Sequence, residues 1–167
     1  MASDVLPLQK GSQVALVTPM TSTGAVDKDN LRKILEWHVE QGTDGIVALG
    51  TTGEAATMSM AEREEVLKIV TDVCKGKVPT MVGVGTINPD STMAMAKQAE
   101  DCGADSLLVV TPYYVKPTQK GCVKFFNHVS EASDLPIILY NVPGRTACDL
   151  LPETVAELKD NSKIIGI

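Results

Sequence analysis

The segment GIVALGTTGE, residues 45–54, joins a short apolar run to a polar, glycine-rich turn. Such an apolar run is typical of a strand that is buried on both faces, as in a parallel sheet. Ser59 and Glu62 follow three residues apart and predict the capping box of a helix with Val66 and Val70 on one face. Together, strand, turn and helix predict an alternating α/β fold.

The same unit recurs along the whole chain, at intervals of roughly 25 to 30 residues. Apolar runs predict strands at 14–18, 45–49, 80–84, 107–110, 136–139 and 164–167. Six strands alternating with five helices fit either a doubly wound sheet or a TIM (β/α)₈ barrel. No linker or shift in composition divides residues 1–167, so we predict a single domain. As a barrel, that domain would lack its C-terminal part, because about six strands and five helices do not close it.

Composition limits the class of protein. Of the 167 residues, 44% are hydrophobic and 22% charged, which predicts a globular chain, and only 4% aromatics predict an aliphatic core. The net charge of −6 argues against nucleic acid or an anionic membrane as a partner. The N-terminal segment MASDVLPLQK lacks the apolar run of a signal peptide, and no run reaches the length of a membrane span. We therefore expect a soluble protein of the cytosol or of an organelle stroma.

The four cysteines are well separated in sequence and form no CxxC or Cys/His cluster. This spacing predicts reduced, mostly buried thiols and no metal site. Neither GxGxxG nor GxxxxGK[ST] occurs, so no dinucleotide or phosphate-binding loop is predicted. We expect no cofactor.

Three polar segments follow predicted strands: GTTGE at 50–54, TPYY at 111–114 and YNVPGRT at 140–146. Because the carboxyl ends of parallel strands face the same side, the three segments are expected to meet at one pocket. Each also has an ordinary interpretation: a βα turn, two packed tyrosines, or the surface salt bridge of one arginine. Their convergence favours a site for a carboxylate ligand.

These segments resemble those of the pyruvate-dependent Schiff-base aldolase and lyase family, which includes N-acetylneuraminate lyases. The resemblance covers about residues 11 to 167, in order and without large gaps. It implies a (β/α)₈ barrel in which a lysine forms an imine with pyruvate. YNVPGRT is the more discriminating segment, and it implies a lyase that condenses pyruvate with L-aspartate-4-semialdehyde in lysine and diaminopimelate biosynthesis.

The resemblance also implies residue roles. Thr51 and Thr52 would border the pyruvate carboxylate. Thr51 would link Tyr140 and Tyr114 in a relay of hydroxyl groups, with Tyr140 as the proton donor and acceptor. Arg145 would hold the carboxylate of the semialdehyde. In the family Tyr114 often reaches the site of a neighbouring subunit, so a homotetramer is implied.

The Schiff-base lysine of the family would come immediately after Ile167, at the end of the sixth strand. Two explanations fit this position: a truncated chain, or a chain whose sequence breaks off at a lysine modified by a bound keto acid. We favour the second, because a stop directly before that residue would otherwise be a coincidence.

Alternatives to this lyase activity remain open. One is a class I aldolase of the same family that acts on another 2-keto acid, and another is a non-catalytic barrel fragment that binds a carboxylate. Regulated members bind lysine near the second and third helices with His, Asn and acidic side chains. Here that neighbourhood has Met60, Arg63, Ile87 and Ser91, with only Asn88 as a displaced match, so we expect no lysine feedback.

Overall fold

The computed structural model describes residues 10–167. Residues 1–9, which include most of the segment that lacks a signal-peptide pattern, lie outside the described part. The strands are β1 (Gln13–Ala15), β2 (Gly45–Ala48), β3 (Thr80–Gly83), β4 (Ser106–Val110), β5 (Ile137–Tyr140) and β6 (Ile164–Gly166). The α-helices are α1 (Lys28–Glu40), α2 (Met60–Cys74), α3 (Pro89–Asp101), α4 (Gln119–Ser130), α5 (Pro143–Thr146) and α6 (Pro152–Leu158).

The sheet decides between the two predicted architectures. Its six strands pair in the order β1-β2-β3-β4-β5-β6, and every pair is parallel. A doubly wound sheet reverses its strand order at a switch point, whereas a (β/α)₈ barrel keeps the order of the sequence. The fold is therefore of the TIM-barrel type, and the chain supplies six of its strands.

The helix count differs from the prediction of five. A 3₁₀ turn at Ala55–Thr57 follows the GTTGE segment, and α5 lies within YNVPGRT. Both are too short for apolar periodicity to be seen in the sequence. Pro143 at the start of α5 was available as a signal, since proline is favoured in the first turn of a helix.

The first strand also differs from the prediction of 14–18. It ends at Ala15, although the Leu16 N–H still donates to the Val47 carbonyl at 2.9 Å. Beyond it, the Thr18 hydroxyl donates to the carbonyl of Gly53 at 2.8 Å. The chain thus leaves the sheet in order to hold the turn after β2.

The predicted capping box of α2 is confirmed. The Glu62 N–H donates to the Ser59 hydroxyl oxygen, and the Glu62 carboxylate accepts from the Ser59 backbone N–H at 2.8 Å. This box fixes where α2 begins, just after the polar turn that follows β2. The helix therefore starts beside the carboxyl edge of the sheet.

The core is aliphatic, as predicted, and the thiols are part of it. All four cysteines are free; Cys74, Cys122 and Cys148 are buried, and Cys102 is half-buried. Burial raises the pKa of the Cys74 thiol to about 11. Burial, reinforced by Cys148, raises the pKa of the Cys122 thiol to about 12. Such thiols stay protonated and act as packing groups.

Within residues 10–167, no helix is both long enough and apolar enough to cross a membrane. Over the same range, no group of three or more His, Cys, Asp or Glu side chains is arranged to hold a metal ion.

Candidate functional site

A cavity of about 540 Å³ opens at the carboxyl ends of the strands. Three of the predicted site residues, Thr51, Tyr140 and Arg145, line it together. Thr52 and Tyr114 are not among its lining residues. The lining residues are Leu49, Gly50, Thr51, Glu54, Ala55, Ala56, Thr57, Met58, Arg63, Gly83, Val84, Gly85, Thr86, Met95, Leu108, Val110, Tyr113, Tyr140, Val142, Arg145 and Thr146.

The GTTGE turn holds Thr51 at the cavity wall. The Gly53 N–H donates to the Gly50 carbonyl at 3.1 Å, and the Thr18 hydroxyl holds the Gly53 carbonyl from the other side. Gly53 is buried, and a Cβ there would meet the Thr18 hydroxyl oxygen at 3.2 Å. Glycine at this position therefore lets the first strand and the turn come together, which leaves the exposed Thr51 at the rim.

Tyr140 ends β5 at the edge of the cavity. It pairs with Val110 across the sheet, and its carbonyl accepts from the Thr111 N–H at 3.1 Å. The strand ladder therefore fixes the backbone that carries the phenol. The side chain is half-buried, with its position on the cavity wall set by the sheet rather than by a loop.

The segment that carries Arg145 is fixed by its own hydrogen bonds. The Thr146 hydroxyl is 2.9 Å from the Cys148 carbonyl and accepts from the Cys148 N–H at 3.2 Å. The Asn141 side chain accepts from the Leu150 N–H at 3.1 Å and donates to the Asp149 carboxylate at 2.8 Å. Arg145 itself is exposed, so the short helix α5 presents its planar cation to the cavity.

Tyr114 lies outside this cavity and is 85% exposed. Its backbone has a left-handed φ of 68°, and its N–H donates to the Thr146 carbonyl at 3.1 Å. Among the residues that the structure describes, no hydrogen bond joins the hydroxyls of Thr51, Tyr114 and Tyr140. The predicted relay is therefore not assembled within one chain, and the Tyr114 phenol is free to contact another molecule.

Arg63 is a charged lining residue whose burial the sequence analysis missed. It was named only as a departure from the lysine-binding pattern, yet it is 2% exposed. A signal was present, because Arg63 precedes Val66, Leu67 and Val70 at spacings that place all four on one helix face.

The cavity wall thus carries two arginines, Arg63 and Arg145, and one carboxylate, Glu54. That excess of positive charge suits anionic ligands.

Six parallel strands in sequence order, with a cavity at their carboxyl edge lined by hydroxyl and guanidinium groups, define the class of (β/α)₈-barrel proteins. The chain belongs to the dihydrodipicolinate synthetase family, whose model matches residues 8–167.

Named relatives agree with this membership. The chain is 50% identical over 157 residues to the 4-hydroxy-tetrahydrodipicolinate synthase of Stutzerimonas stutzeri, a match that covers 94% of the chain and 54% of the relative. It is 50% identical over 158 residues to the same enzyme of Alcanivorax borkumensis, covering 95% of the chain and 54% of the relative. The chain thus spans about half the length of the curated relatives it matches.

Solved structures show the same relationship. The chloride-inhibited dihydrodipicolinate synthase of Acinetobacter baumannii, complexed with pyruvate, superposes with a TM-score of 0.92 at 48% identity. That match covers 94% of this chain and 54% of the other. A monomeric dihydrodipicolinate synthase variant superposes with a TM-score of 0.90 at 40% identity, covering 94% and 52%.

Proposed function

We propose that the protein is a lyase that condenses pyruvate with L-aspartate-4-semialdehyde, the activity of a 4-hydroxy-tetrahydrodipicolinate synthase. The observation that carries this proposal is the meeting of Thr51, Tyr140 and Arg145, from three separate segments, in one cavity. The names of the relatives at 50% identity support the same reaction. Its product, 4-hydroxy-tetrahydrodipicolinate, lies on the route to diaminopimelate and lysine.

Pyruvate is the first substrate in this proposal. The hydroxyls of the exposed Thr51 and Thr52 are donors of the kind that a carboxylate accepts. The Acinetobacter baumannii structure, which is described as a complex with pyruvate, supports this choice. Of the two threonines, Thr51 lines the cavity of the single chain and Thr52 does not.

The proposed nucleophile is the lysine expected directly after Ile167. The strand β6 pairs with β5, with Ile137 opposite Ile164, so its carboxyl end is adjacent to that of the strand that ends in Tyr140. An amine there would stand beside the Tyr140 phenol. Desolvation among the strand ends lowers the pKa of an amine and makes it a better nucleophile near neutral pH.

The chemistry follows from the imine. The amine adds to C2 of pyruvate, and loss of water leaves a protonated imine, which withdraws electrons from C3. Loss of a C3 proton gives an enamine, whose C3 attacks the aldehyde carbon of the semialdehyde and forms a C–C bond. The amino group of the semialdehyde then attacks C2, which closes the ring and releases the lysine amine. No metal or cofactor is needed, because the imine itself is the electron sink.

In this proposal, hydroxyl groups carry out the proton transfers of these steps. A phenol has an ordinary pKa of about 10 and is a poor isolated base, but a chain of hydroxyls moves a proton without forming a stable charge. We assign Tyr140 as the group that exchanges protons with the substrate, and Thr51 as its link to Tyr114. Since Tyr114 is 85% exposed, the Tyr114 of a neighbouring subunit completes the relay in a proposed homotetramer.

Arg145 takes the second substrate in this proposal. Its guanidinium offers a planar fork that matches the carboxylate of the semialdehyde. The residue lines the cavity on the short helix α5, and hydrogen bonds of Asn141 and Thr146 hold the segment that contains this helix. A fixed fork orients the aldehyde carbon toward the enamine.

We assign the enzyme to the cytoplasm, or to the plastid stroma of a plant or alga. Four free cysteines, of which three are buried, fit a reducing compartment. We also propose that lysine does not regulate it. Asn88 caps α3 by accepting from the Ser91 N–H at 3.1 Å, so this side chain is already engaged. Inhibition of the enzyme by micromolar lysine would contradict this view.

The decisive experiment treats the protein, as its gene encodes it, with pyruvate and borohydride. We expect a covalent adduct of the mass of reduced pyruvate on a single lysine, followed in a second assay by turnover with L-aspartate-4-semialdehyde. If pyruvate is trapped but no condensation is seen, the Schiff-base mechanism would stand and the second substrate would be a different aldehyde. Absence of trapping would overturn the proposal.

A further inference from the structure

The side chain of Gln119 bridges the start of helix α4 and the segment that follows helix α5. Its Nε2 group donates to the backbone carbonyl of Asp149 at 2.8 Å. Its Oε1 atom accepts from the Leu151 N–H at 3.2 Å and from the Thr154 hydroxyl. Because a carbonyl only accepts and a backbone N–H only donates, these partners also fix which way the amide points. One half-buried side chain thus holds both ends of residues 149–151.

The α4 end of this bridge is firmly placed. Gln119 is the first residue of α4, a helix of twelve residues whose inner face is buried in the core. Cys122 lies three residues further on, so it shares a helix face with Gln119. Cys122 is buried, and its Sγ is 3.8 Å from the Sγ of Cys148. The first turn of α4 therefore holds the segment after α5 by packing and by hydrogen bonds.

The position of Arg145 depends on this segment. Arg145 lies on α5, which has only four residues, and so short a helix is not stable by itself. The hydrogen bonds of Asn141 and Thr146 that hold it lie within residues 141–150. Gln119, in contrast, ties the same segment to a separate helix that is rooted in the core.

We propose that Gln119 is a positioning residue for Arg145, which holds α5 where the guanidinium receives the carboxylate of the second substrate. Gln119 is not among the residues that line the cavity, so it acts through Arg145. A planar fork binds a carboxylate through two parallel hydrogen bonds, and a small displacement of the fork loses this geometry. The identity of that substrate rests on the proposed function, whereas the dependence of α5 on Gln119 does not.

The first test replaces the amide by a thioether of similar length. Gln119→Met keeps a good helix former in α4 but removes all three hydrogen bonds. We expect KM for L-aspartate-4-semialdehyde to rise about tenfold, because the fork is no longer held, while KM for pyruvate stays unchanged. Gln98→Met is the matched control, since Gln98 is also half-buried on a helix and donates to a backbone carbonyl, that of Met60, at 2.8 Å. It should alter neither KM, and wild-type KM values in Gln119→Met would overturn the proposal.

A double-mutant cycle separates positioning from general loosening. If Gln119 acts through Arg145, Gln119→Met should lower kcat/KM for the semialdehyde in the wild type but not in an Arg145→Ala background. An equal loss in both backgrounds would refute the proposal. Thr154→Val removes one of the three hydrogen bonds and should give a smaller loss, whereas Thr154→Ser keeps the hydroxyl and should match the wild type.

Hydrogen exchange provides a measurement that does not depend on the reaction. In the protein as its gene encodes it, Gln119→Met should speed amide exchange in peptides covering residues 145–151 and leave those of β5 unchanged. If the wild type does not condense the semialdehyde, the proposed function fails, and exchange alone decides whether Gln119 holds α5. Unchanged exchange, or faster exchange without a rise in the semialdehyde KM of an active enzyme, would contradict the inference. Should Gln119→Met fail to fold, Thr154→Val takes its place in each comparison.

Discussion

The phenol of Tyr140 is the residue on which the proposed proton transfers depend, and its removal has a clear expected effect. Tyr140→Phe should lower kcat for condensation by about 100-fold, since a positioned proton-transfer group contributes about 10² to 10⁴. The fall in kcat is measured by stopping the reaction at set times and quantifying the condensation product. Tyr113→Phe is the matched control, because Tyr113 lines the same cavity but has no place in the relay. Equal losses in both variants would reduce Tyr140 to a packing residue.

Arg145 should act on one substrate only. Arg145→Lys keeps the positive charge but removes the planar fork, so KM for the semialdehyde should rise about tenfold while KM for pyruvate stays unchanged. Steady-state kinetics with each substrate varied in turn separate the two effects. Arg32→Lys, an equally conservative change at an exposed ion pair, should alter neither KM. A parallel rise in both KM values would point to a distorted cavity wall instead.

At the residue scale, the site could be predicted wherever a polar side chain lies at the end of a strand or in the turn after it. Thr51 and Tyr140 are such residues, and a parallel sheet brings its strand ends to one side. Arg63 could not be predicted in the same way, because it lies on a helix, where an arginine is ordinarily exposed. Tyr114 was named only through the family resemblance, because its part in the proposed relay requires a neighbouring subunit, which the pattern of one chain does not describe.

Among the elements, α2 illustrates how a cap makes stability depend on pH. Hydrogen bonds from the backbone and then from the hydroxyl of Ser59 lower the pKa of the Glu62 carboxylate. A carboxylate whose pKa is lower in the folded state stabilises the fold above its unfolded pKa, and this contribution is lost as the pH falls through the folded value. Stability should therefore decline below about pH 4.3, the ordinary glutamate pKa.

Glu62→Gln tests this directly. The amide oxygen still accepts from the Ser59 N–H but does not titrate, so the variant should lose less stability than the wild type as the pH falls through that window. Urea unfolding at a series of pH values gives the comparison. Identical pH profiles for the two proteins would show that the cap carboxylate is not linked to folding. Asp27→Asn offers a second case, because bonds from Asn30 lower the pKa of this α1 cap in the same direction.

The elements themselves were largely predictable, for a physical reason. Long helices can be predicted from their capping residues and from the spacing of their apolar residues. Ser59 and Glu62, for example, form the capping box that predicts α2. The 3₁₀ turn at Ala55–Thr57 and the helix α5 have neither, since one turn is shorter than the period that would reveal it. Strand order was not predictable, because strands that are apolar on both faces occur in both candidate folds.

For the whole molecule, the arrangement of subunits decides whether the relay exists. Tyr114 is 85% exposed, while its backbone is tied to the Thr146 carbonyl beside Arg145. If its phenol serves the neighbouring subunit, each site combines Tyr140 of one chain with Tyr114 of another. Two inactive variants, Tyr140→Phe and Tyr114→Phe, should then complement each other when their subunits are mixed.

The expected recovery follows from symmetry. Random reassociation makes half of the dimers hybrid, and one of the two sites in each hybrid has both tyrosines intact, so activity should reach about a quarter of the wild-type value. Native mass spectrometry confirms that hybrids have formed. If Tyr114 served its own chain, every hybrid site would lack one phenol, and the mixture would remain at the mean of the two variants. A shared site would also make activity fall on dilution below the dissociation constant of the dimer, since a separated subunit retains Tyr140 but loses its partner's phenol.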